Sequence, residues 1–343
     1  MAADIALVSL GTTPGLRRAD DAFAALARDA GARCELVRVE IGAAGRLRRH
    51  PALTDLVEAL AARRAARGVS AGTVVYSTVT AALLQPDRGR YAVRFDSTAA
   101  MNRPGAGGAW QRARERRLLA EAELLLPWGE VAAAAIPPGS APAVVLRVPV
   151  EPVPRPGEPD VDAIAYAGWP RKRGLDLLCD AWASAAPAGA RLQIGGLNRE
   201  KGVAWLERCG VREPRGVEWL GSLPRELWLQ RVARARTFVN ASRQEDHGLA
   251  QLEALSAGTP LVTVPSPGAY EALPLARVLA PALVAAAVSA GSLAQALGAG
   301  LALGQSERAA YAERAARLLE PFRPEAVREV MAREVLPVLG VSA

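Results

Sequence analysis

Short apolar runs alternate along the chain with longer stretches whose apolar positions recur every three or four residues. The runs Ile5–Leu10, Cys34–Val39, Thr73–Ser77, Tyr91–Phe95, Leu124–Leu126 and Val144–Val148 predict buried strands. Helical spacing links them over Arg17–Ala30, Leu53–Arg67 and Trp110–Ala122. The pattern then repeats. Ala163–Ala167, Leu192–Ile194, Val217–Leu220, Thr237–Val239 and Leu261–Val264 read as strands. Leu175–Ala185, Lys201–Cys209, Pro224–Arg234 and Leu249–Ala257 read as helices. Strands that alternate with helices imply parallel sheets covered on both faces. The Pro-rich stretch Pro149–Pro159 separates the two sets. The expectation is an α/β protein of two doubly wound domains, residues 1–150 and 151–320, with a ligand cleft between them. The helical stretch from Ser306 onward belongs to neither repeat, and Pro321 and Pro324 break it. Residues 321–343 are expected to pack back on the first domain as a helical tail.

A length of 343 residues suits two domains that each bury a core. One segment invites a membrane reading, because Val278–Ser306 carries no charge and is long enough to span a bilayer. Its apolar content is mostly Ala and Gly, interrupted by Pro281, Ser289, Ser292 and Gln295, which reads as strand–turn–helix packing. The start, Met1 to Val8, is a first core strand and lacks the charged and apolar regions of a signal peptide. Three scattered cysteines, Cys34, Cys179 and Cys209, form no CxxC pair and argue against a disulfide framework or a cysteine zinc site. Two histidines, His50 and His247, leave no His-rich metal site. A cytoplasmic location is expected, with peripheral contact to the inner face of a membrane as its one extension.

Charge is unevenly divided. Residues 1–150 carry 20 Arg and 14 acidic residues, a net of +6, whereas the remainder nets +1. The clusters Arg46-Leu-Arg-Arg49 and Arg112/Arg114/Arg116/Arg117 are candidates for contact with a phospholipid surface, a lipid-linked acceptor or an anionic glycan. Solvated Arg-rich helix faces are the alternative. Nucleic acid is not expected, because no aromatic platform accompanies the charge.

The richest chemical signal is Ser242-Arg-Gln-Glu245-Asp-His-Gly248-Leu-Ala-Gln-Leu-Glu253, which leads on to Gly258-Thr-Pro260. It follows a strand, so Glu245 falls at the carboxyl edge of a sheet, where open α/β folds bind ligands. Gly248 opens a helix whose free N–H groups suit a phosphate. A second stretch, Gly168-Trp-Pro-Arg171-Lys172-Arg173-Gly174, places three cations between two glycines at a strand-to-helix turn, a pattern suited to a diphosphate.

Together these segments resemble the nucleotide-sugar-dependent retaining glycosyltransferases of family 4, which have the GT-B fold. Their Glu-x7-Glu hallmark is met by Glu245 and Glu253, followed by the Ala-x-Gly-Thr-Pro turn. The resemblance extends to the cationic turn at 168–174, to Gly195-Gly196 and to Gly221-Ser-Leu-Pro-x-Glu-Leu. In the first half it rests on Gly11-Thr12 and on the order of elements. It implies two Rossmann-like domains that face each other across a cleft. Glu245 would lie beside the transferred hexose, and His247, Gly248 and Leu249 would hold its hydroxyls and phosphate by their backbone. Glu253 would bind the donor ribose, and Arg173, with Lys172 and Arg171 nearby, would hold the diphosphate. Gly11 would sit in the loop over the diphosphate and acceptor.

Two departures stand out. Gly168 is followed by Trp169 rather than the family's Arg, and the turn is one residue shorter. Where many members carry a His after the fourth strand, this chain has Asp96. Asp96 could accept the acceptor proton, hydrogen-bond the donor sugar or cap the Ser97 turn. The resemblance implies front-face transfer of a hexose from a nucleoside diphosphate, UDP or GDP foremost, with no metal or other cofactor. Asp160-Val-Asp162 imitates a metal motif of another fold but lies at the end of the linker. The alternatives are a sugar-nucleotide epimerase and a degenerate GT-B subunit that binds sugar nucleotide without turnover.

Overall fold

The computed structural model describes residues 2–42, 45–46, 51–85, 89–154 and 157–341. The chain divides into two units, Met1–Pro149 with Pro321–Ala343, and Val150–Glu320. Unit 1 holds five parallel strands: β1 (Ala3–Ser9), β2 (Cys34–Arg38), β3 (Ala71–Tyr76), β4 (Arg90–Phe95) and β5 (Leu124–Pro127). Their order is β2-β1-β3-β4-β5, so the winding reverses between β1 and β3 and leaves a crevice at the carboxyl ends there. Ile5, Leu7, Val75, Leu124 and Leu126 face Phe23 from the helix Pro14–Asp29. Val327, Met331, Val335 and Leu336 close the same core. The final segment is therefore part of unit 1, and Thr73 Oγ1 on β3 donates to Leu339 O at 3.0 Å.

The expected strand Val144–Val148 does not form a full ladder. Leu125 donates to Pro142 O, and Val144 and Leu146 donate to Leu125 O and Pro127 O, all within 3.0 Å. Only the isolated bridge Leu125–Ala143 results. The next rung would need an N–H from Pro127, which proline lacks.

Unit 2 repeats the plan with β6 (Val161–Tyr166), β7 (Leu192–Gly195), β8 (Val217–Gly221), β9 (Ala235–Asn240) and β10 (Leu261–Thr263). Its parallel order is β10-β9-β6-β7-β8, with the reversal between β6 and β9. The uncharged segment after Val278 folds as a 3₁₀ turn, Pro281–Leu283, and a helix, Ala290–Ala302, that buries Leu293, Ala296, Leu297 and Gly300. No helix among the described residues is long and apolar enough to cross a membrane. The helix Gln305–Leu318, outside the strand–helix repeats, belongs to unit 2. Tyr311 anchors it, since its buried hydroxyl accepts from Leu261 N at 3.2 Å.

Several arginines of the first half are committed inside unit 1. Arg94 on β4 is fully buried against Asp20, 3.2 Å away, and its guanidinium lies 4.4 Å from the centre of the Trp128 ring. Burial pushes Arg94 down to about 10 and pushes Asp20 up, opposing the attraction between them. In the second expected cluster, Arg112 donates to Arg103 O and Arg114 to Leu83 O, so both brace loops. Arg117 pairs with Glu121 at 2.8 Å on the same helix. These residues do not make one free cationic face. Of the first cluster, Leu47, Arg48 and Arg49 lie outside the described residues, as does His50.

Candidate active site

The two strands that flank the reversal in unit 2 deliver the motif residues to one place. After β6 the chain makes a single helical turn, Pro170–Arg173, and breaks at Gly174 in the left-handed region (φ +60°) before the helix Leu175–Ala185. A Cβ at 174 would sit 2.1 Å from Ala241 O, so only glycine lets this turn press against the end of β9. Backbone bonding follows: Arg243 N donates to Lys172 O at 2.8 Å.

Glu245 lies in the loop after β9, 3% exposed. Its Oε2 receives Arg173 Nη1 as an ion pair and Gln251 Nε2 at 2.8 Å, and Ser242 Oγ lies 3.3 Å away. Ser242 is held in turn by Asn240 Oδ1 at 2.7 Å. Asn240 Nδ2 donates to Thr263 Oγ1 at 3.0 Å and Tyr270 OH at 3.2 Å. Burial pushes the Tyr270 phenol far above its ordinary value, so it remains a neutral hydroxyl within this network. Lys172 pairs with Asp246, and Arg243 grips Asp176 through two bonds of 2.8 and 2.5 Å. Arg171 is exposed, and its carbonyl lies 3.4 Å from Arg243 Nη1.

Gly248 caps the helix Leu249–Ser256 with φ +89°. Free amides at a helix N-terminus favour anions, and the loop just before this one carries Glu245 and Asp246, which hold Arg173 and Lys172. His247 is buried before it, and Leu249 is half-buried at its first position. Glu253, one turn on, is 5% exposed, with Arg225 Nη2 3.4 Å from its Oε1. Arg225 occupies the open position of Gly221-Ser-Leu-Pro-x-Glu-Leu, so the motif contained it without marking its role. Asp246, Gln251 and Tyr270 were also missed; the first two fall within the motif, whereas Tyr270 carries no local signal. Trp169, at the departure from the family pattern, is 64% exposed. Asp160 is exposed, and Asp162 on β6 accepts from Arg191 N at 3.0 Å. No group of three His, Cys, Asp or Glu among the described residues is arranged to hold a metal.

The remaining two site candidates lie in unit 1. Gly11 follows β1 with φ +49°, and Arg17 Nη1 donates to its carbonyl at 2.7 Å. Asp96, half-buried after β4, accepts from Ser97 Oγ at 3.3 Å. Asp96 lines a cavity of about 150 Å³ that opens where the winding of the sheet reverses. One wall is the short helix Ala99–Asn102, whose first amide, Ala99 N, donates to buried Glu115 Oε2 at 2.6 Å.

Glu115 predicts a pH dependence. Burial, opposed by the Ala99 bond and the Arg116 charge, raises its carboxyl to about 7 from an ordinary 4.5. The fold therefore prefers the protonated acid. The associated stability is fully present below about pH 4.5 and is lost as pH rises through about 7, by on the order of 3 kcal/mol. Glu115→Gln keeps an acceptor for Ala99 N without the charge. Its melting temperature should exceed that of the natural protein at pH 8 and match it near pH 5. A parallel decline of both proteins over that range would contradict this role.

The family model for glycosyl transferases group 1 matches residues 161–320. No curated protein sequence matches the chain. Among solved structures, sucrose-phosphate synthase from Thermosynechococcus elongatus superposes with a TM-score of 0.71 at 16% identity, covering 98% of this chain and 99% of the other. Anabaena HepE in complex with UDP-glucose gives 0.69 at 13% identity, with coverage of 97% and 99%. WaaG, a glycosyltransferase involved in lipopolysaccharide biosynthesis, gives 0.67 at 16% identity, with coverage of 96% and 100%. At such identities the likeness shows the fold, two Rossmann-like α/β units of the GT-B type.

Proposed function

We propose that this chain, placed among the glycosyl transferases group 1 by residues 161–320, moves a hexose from a nucleoside diphosphate to an acceptor hydroxyl with retention at the anomeric carbon. The observation that carries the reading is the junction of β6 and β9. There Arg173 meets Glu245 beside the N-terminus of the helix Leu249–Ser256. The diphosphate binds the helix amides, with Arg173 and Lys172 supplying positive charge. As the bond from the anomeric carbon to the diphosphate oxygen breaks, the negative charge left on that oxygen is stabilised by these fixed donors. The acceptor oxygen bonds to the anomeric carbon on the same face, and its proton passes to the departing diphosphate. Glu245 holds the transferred hexose. Glu253, oriented by Arg225, takes the ribose hydroxyls. His247 and Leu249 contribute backbone groups. Arg171, exposed and outside the ion pairs around Glu245, is the weakest of the three cation candidates. Gly11 and Asp96 are the unit 1 candidates, Gly11 for the loop over the diphosphate and acceptor and Asp96 as a hydrogen-bond acceptor for the incoming hydroxyl or the donor sugar.

Charge from the helix and the two cations suffices for this role without a metal. The test is thermal stability with UDP, GDP, ADP or dTDP, and with their hexose conjugates, in the presence of chelator. A nucleotide at one hundred times its dissociation constant stabilises by about 2.7 kcal/mol. One base should stand out and name the donor. No shift with any of them would remove the donor site. Trp169 in place of the usual cation favours one second reading, a sugar-nucleotide-binding subunit without turnover. Binding with no hydrolysis or transfer across many acceptors would establish it.

A further inference from the structure

Gln251 is a buried amide with half of its hydrogen-bonding capacity unspent. It lies on the helix Leu249–Ser256, one turn past Gly248, and is 2% exposed. Its Nε2 donates to Glu245 Oε2 at 2.8 Å, whereas its Oε1 has no partner among the described residues. Buried polar groups are almost always paired, and an orphaned carbonyl oxygen is destabilising. An apolar side chain of the same length would spare the fold that oxygen. Stability therefore does not account for a glutamine at this position, and its one bond must.

That bond bears on how Glu245 meets Arg173. Arginine and carboxylate frequently pair through a two-bond fork. Here the pair is end-on. Arg173 Nη1 contacts Glu245 Oε2, while Arg173 Nε and Nη2 and Glu245 Oε1 make no hydrogen bond among the described residues. Ser242 Oγ lies 3.3 Å from the same Oε2, but its single hydrogen goes to the nearer Asn240 Oδ1 at 2.7 Å. Gln251 is thus the neutral donor that holds Oε2. The backbone of Glu245 is fixed separately, since its N–H donates to Pro267 O at 3.0 Å. What Gln251 sets is the direction of the carboxylate.

We infer that Gln251 is a positioning residue, which pins Oε2 of Glu245 and keeps the pair with Arg173 from closing into a fork. The end-on pair leaves two guanidinium nitrogens of Arg173 for an anion and one oxygen of Glu245 for a hydroxyl. Under the transferase reading on which this rests, the anion is the donor diphosphate and the hydroxyl belongs to the hexose. A closed fork would spend both groups on each other. Gln251 keeps them apart before any ligand arrives, so binding does not first have to break a fork.

Gln251→Met retains the length of the side chain and removes its donor. The melting temperature should stay level or rise, because the orphaned oxygen leaves with the bond; a fall of many degrees would assign Gln251 to stability and overturn the inference. Calorimetric titration should show the affinity for the preferred nucleotide, UDP or GDP, lowered about tenfold, the worth of one bond to a charged group. That loss should vanish in the Glu245→Gln background, where no carboxylate remains to close the fork. A loss of equal size in both backgrounds, or none in either, would overturn the inference. A crystal structure of Gln251→Met without nucleotide should bring Arg173 Nη2 to about 3 Å from Glu245 Oε1. An end-on pair in that variant would equally overturn it. If the natural chain binds no nucleotide, the transferase reading fails, and the geometry of the pair in Gln251→Met still decides the role of Gln251.

Discussion

Glu245→Gln should lower the rate of hexose transfer by on the order of a hundredfold to a thousandfold, the usual effect of losing one fixed group at a reacting centre. The substitution keeps the length of the side chain and an oxygen able to accept from Gln251 or Ser242. What it removes is the charge that faces Arg173. Breaking a buried ion pair costs about 3–5 kcal/mol when the survivor is stranded. Arg173 keeps about a fifth of its side chain in solvent, 21%, so a loss of about 1–3 kcal/mol is expected here. Arg173 freed from Glu245 can turn wholly to the diphosphate. The affinity for UDP or GDP should therefore hold or improve while turnover collapses. A variant that transfers hexose at the natural rate would take Glu245 out of the mechanism. One that loses turnover and nucleotide affinity together would indicate a general distortion of the loop.

Gly248→Ala should strongly destabilise unit 2. The position is left-handed, at φ +89° and ψ +44°, which costs an L-residue about 1–2 kcal/mol. The added Cβ would also lie 2.8 and 2.9 Å from the ring of Tyr270. That ring is 1% exposed, and its hydroxyl is fixed by Thr263 at 2.9 Å and Asn240 at 3.2 Å. It has nowhere to move, and overpacking of this kind costs about 1–3 kcal/mol. The sum, roughly 2–5 kcal/mol, corresponds to a fall in melting temperature of about 5–15 °C for a unit of this size. Any folded fraction should bind nucleotide poorly, because relief of the clash tilts the first turn whose amides are proposed to hold the diphosphate. Gly291→Ala is the matched control. It lies in the helix Ala290–Ala302 at ordinary φ with nothing within 4 Å of the added carbon, and should be neutral or slightly stabilising. Equal melting temperatures for Gly248→Ala and the natural protein would show that the loop around Tyr270 is softer than its bonding implies.

Alternation of strand and helix was legible because each element carries its own period. Buried parallel strands are short apolar runs, and the helices between them show one apolar stripe. Val144–Val148 looked the same and failed as a strand, because the missing partner was an N–H on Pro127, a residue the run itself does not contain. The stretch from Ser306 carried no strand–helix repeat of its own, so its attachment was not legible locally. Its helix is held in unit 2 by long-range bonds, Leu261 N to Tyr311 OH, Arg314 Nη2 to Leu279 O and Gln305 Nε2 to Glu158 Oε1, about which local spacing says nothing.

By itself, the sequence determined the two α/β repeats, the glycines at both phosphate-type turns, and the identity of Glu245, Glu253, Lys172 and Arg173 as candidates. These are properties of a few neighbouring residues, so spacing reveals them. The strand order of unit 2 decided the rest. It sets β6 beside β9 and so pairs Arg173 with Glu245 and Lys172 with Asp246, residues 72 and 74 positions apart. Tertiary packing alone fixed Tyr270 beneath Gly248, brought Arg225 to Glu253, and consumed Arg94, Arg103, Arg112 and Arg114 in internal bonds. A count of arginines measures charge, but whether that charge faces a partner depends on which acids and carbonyls the fold brings within reach.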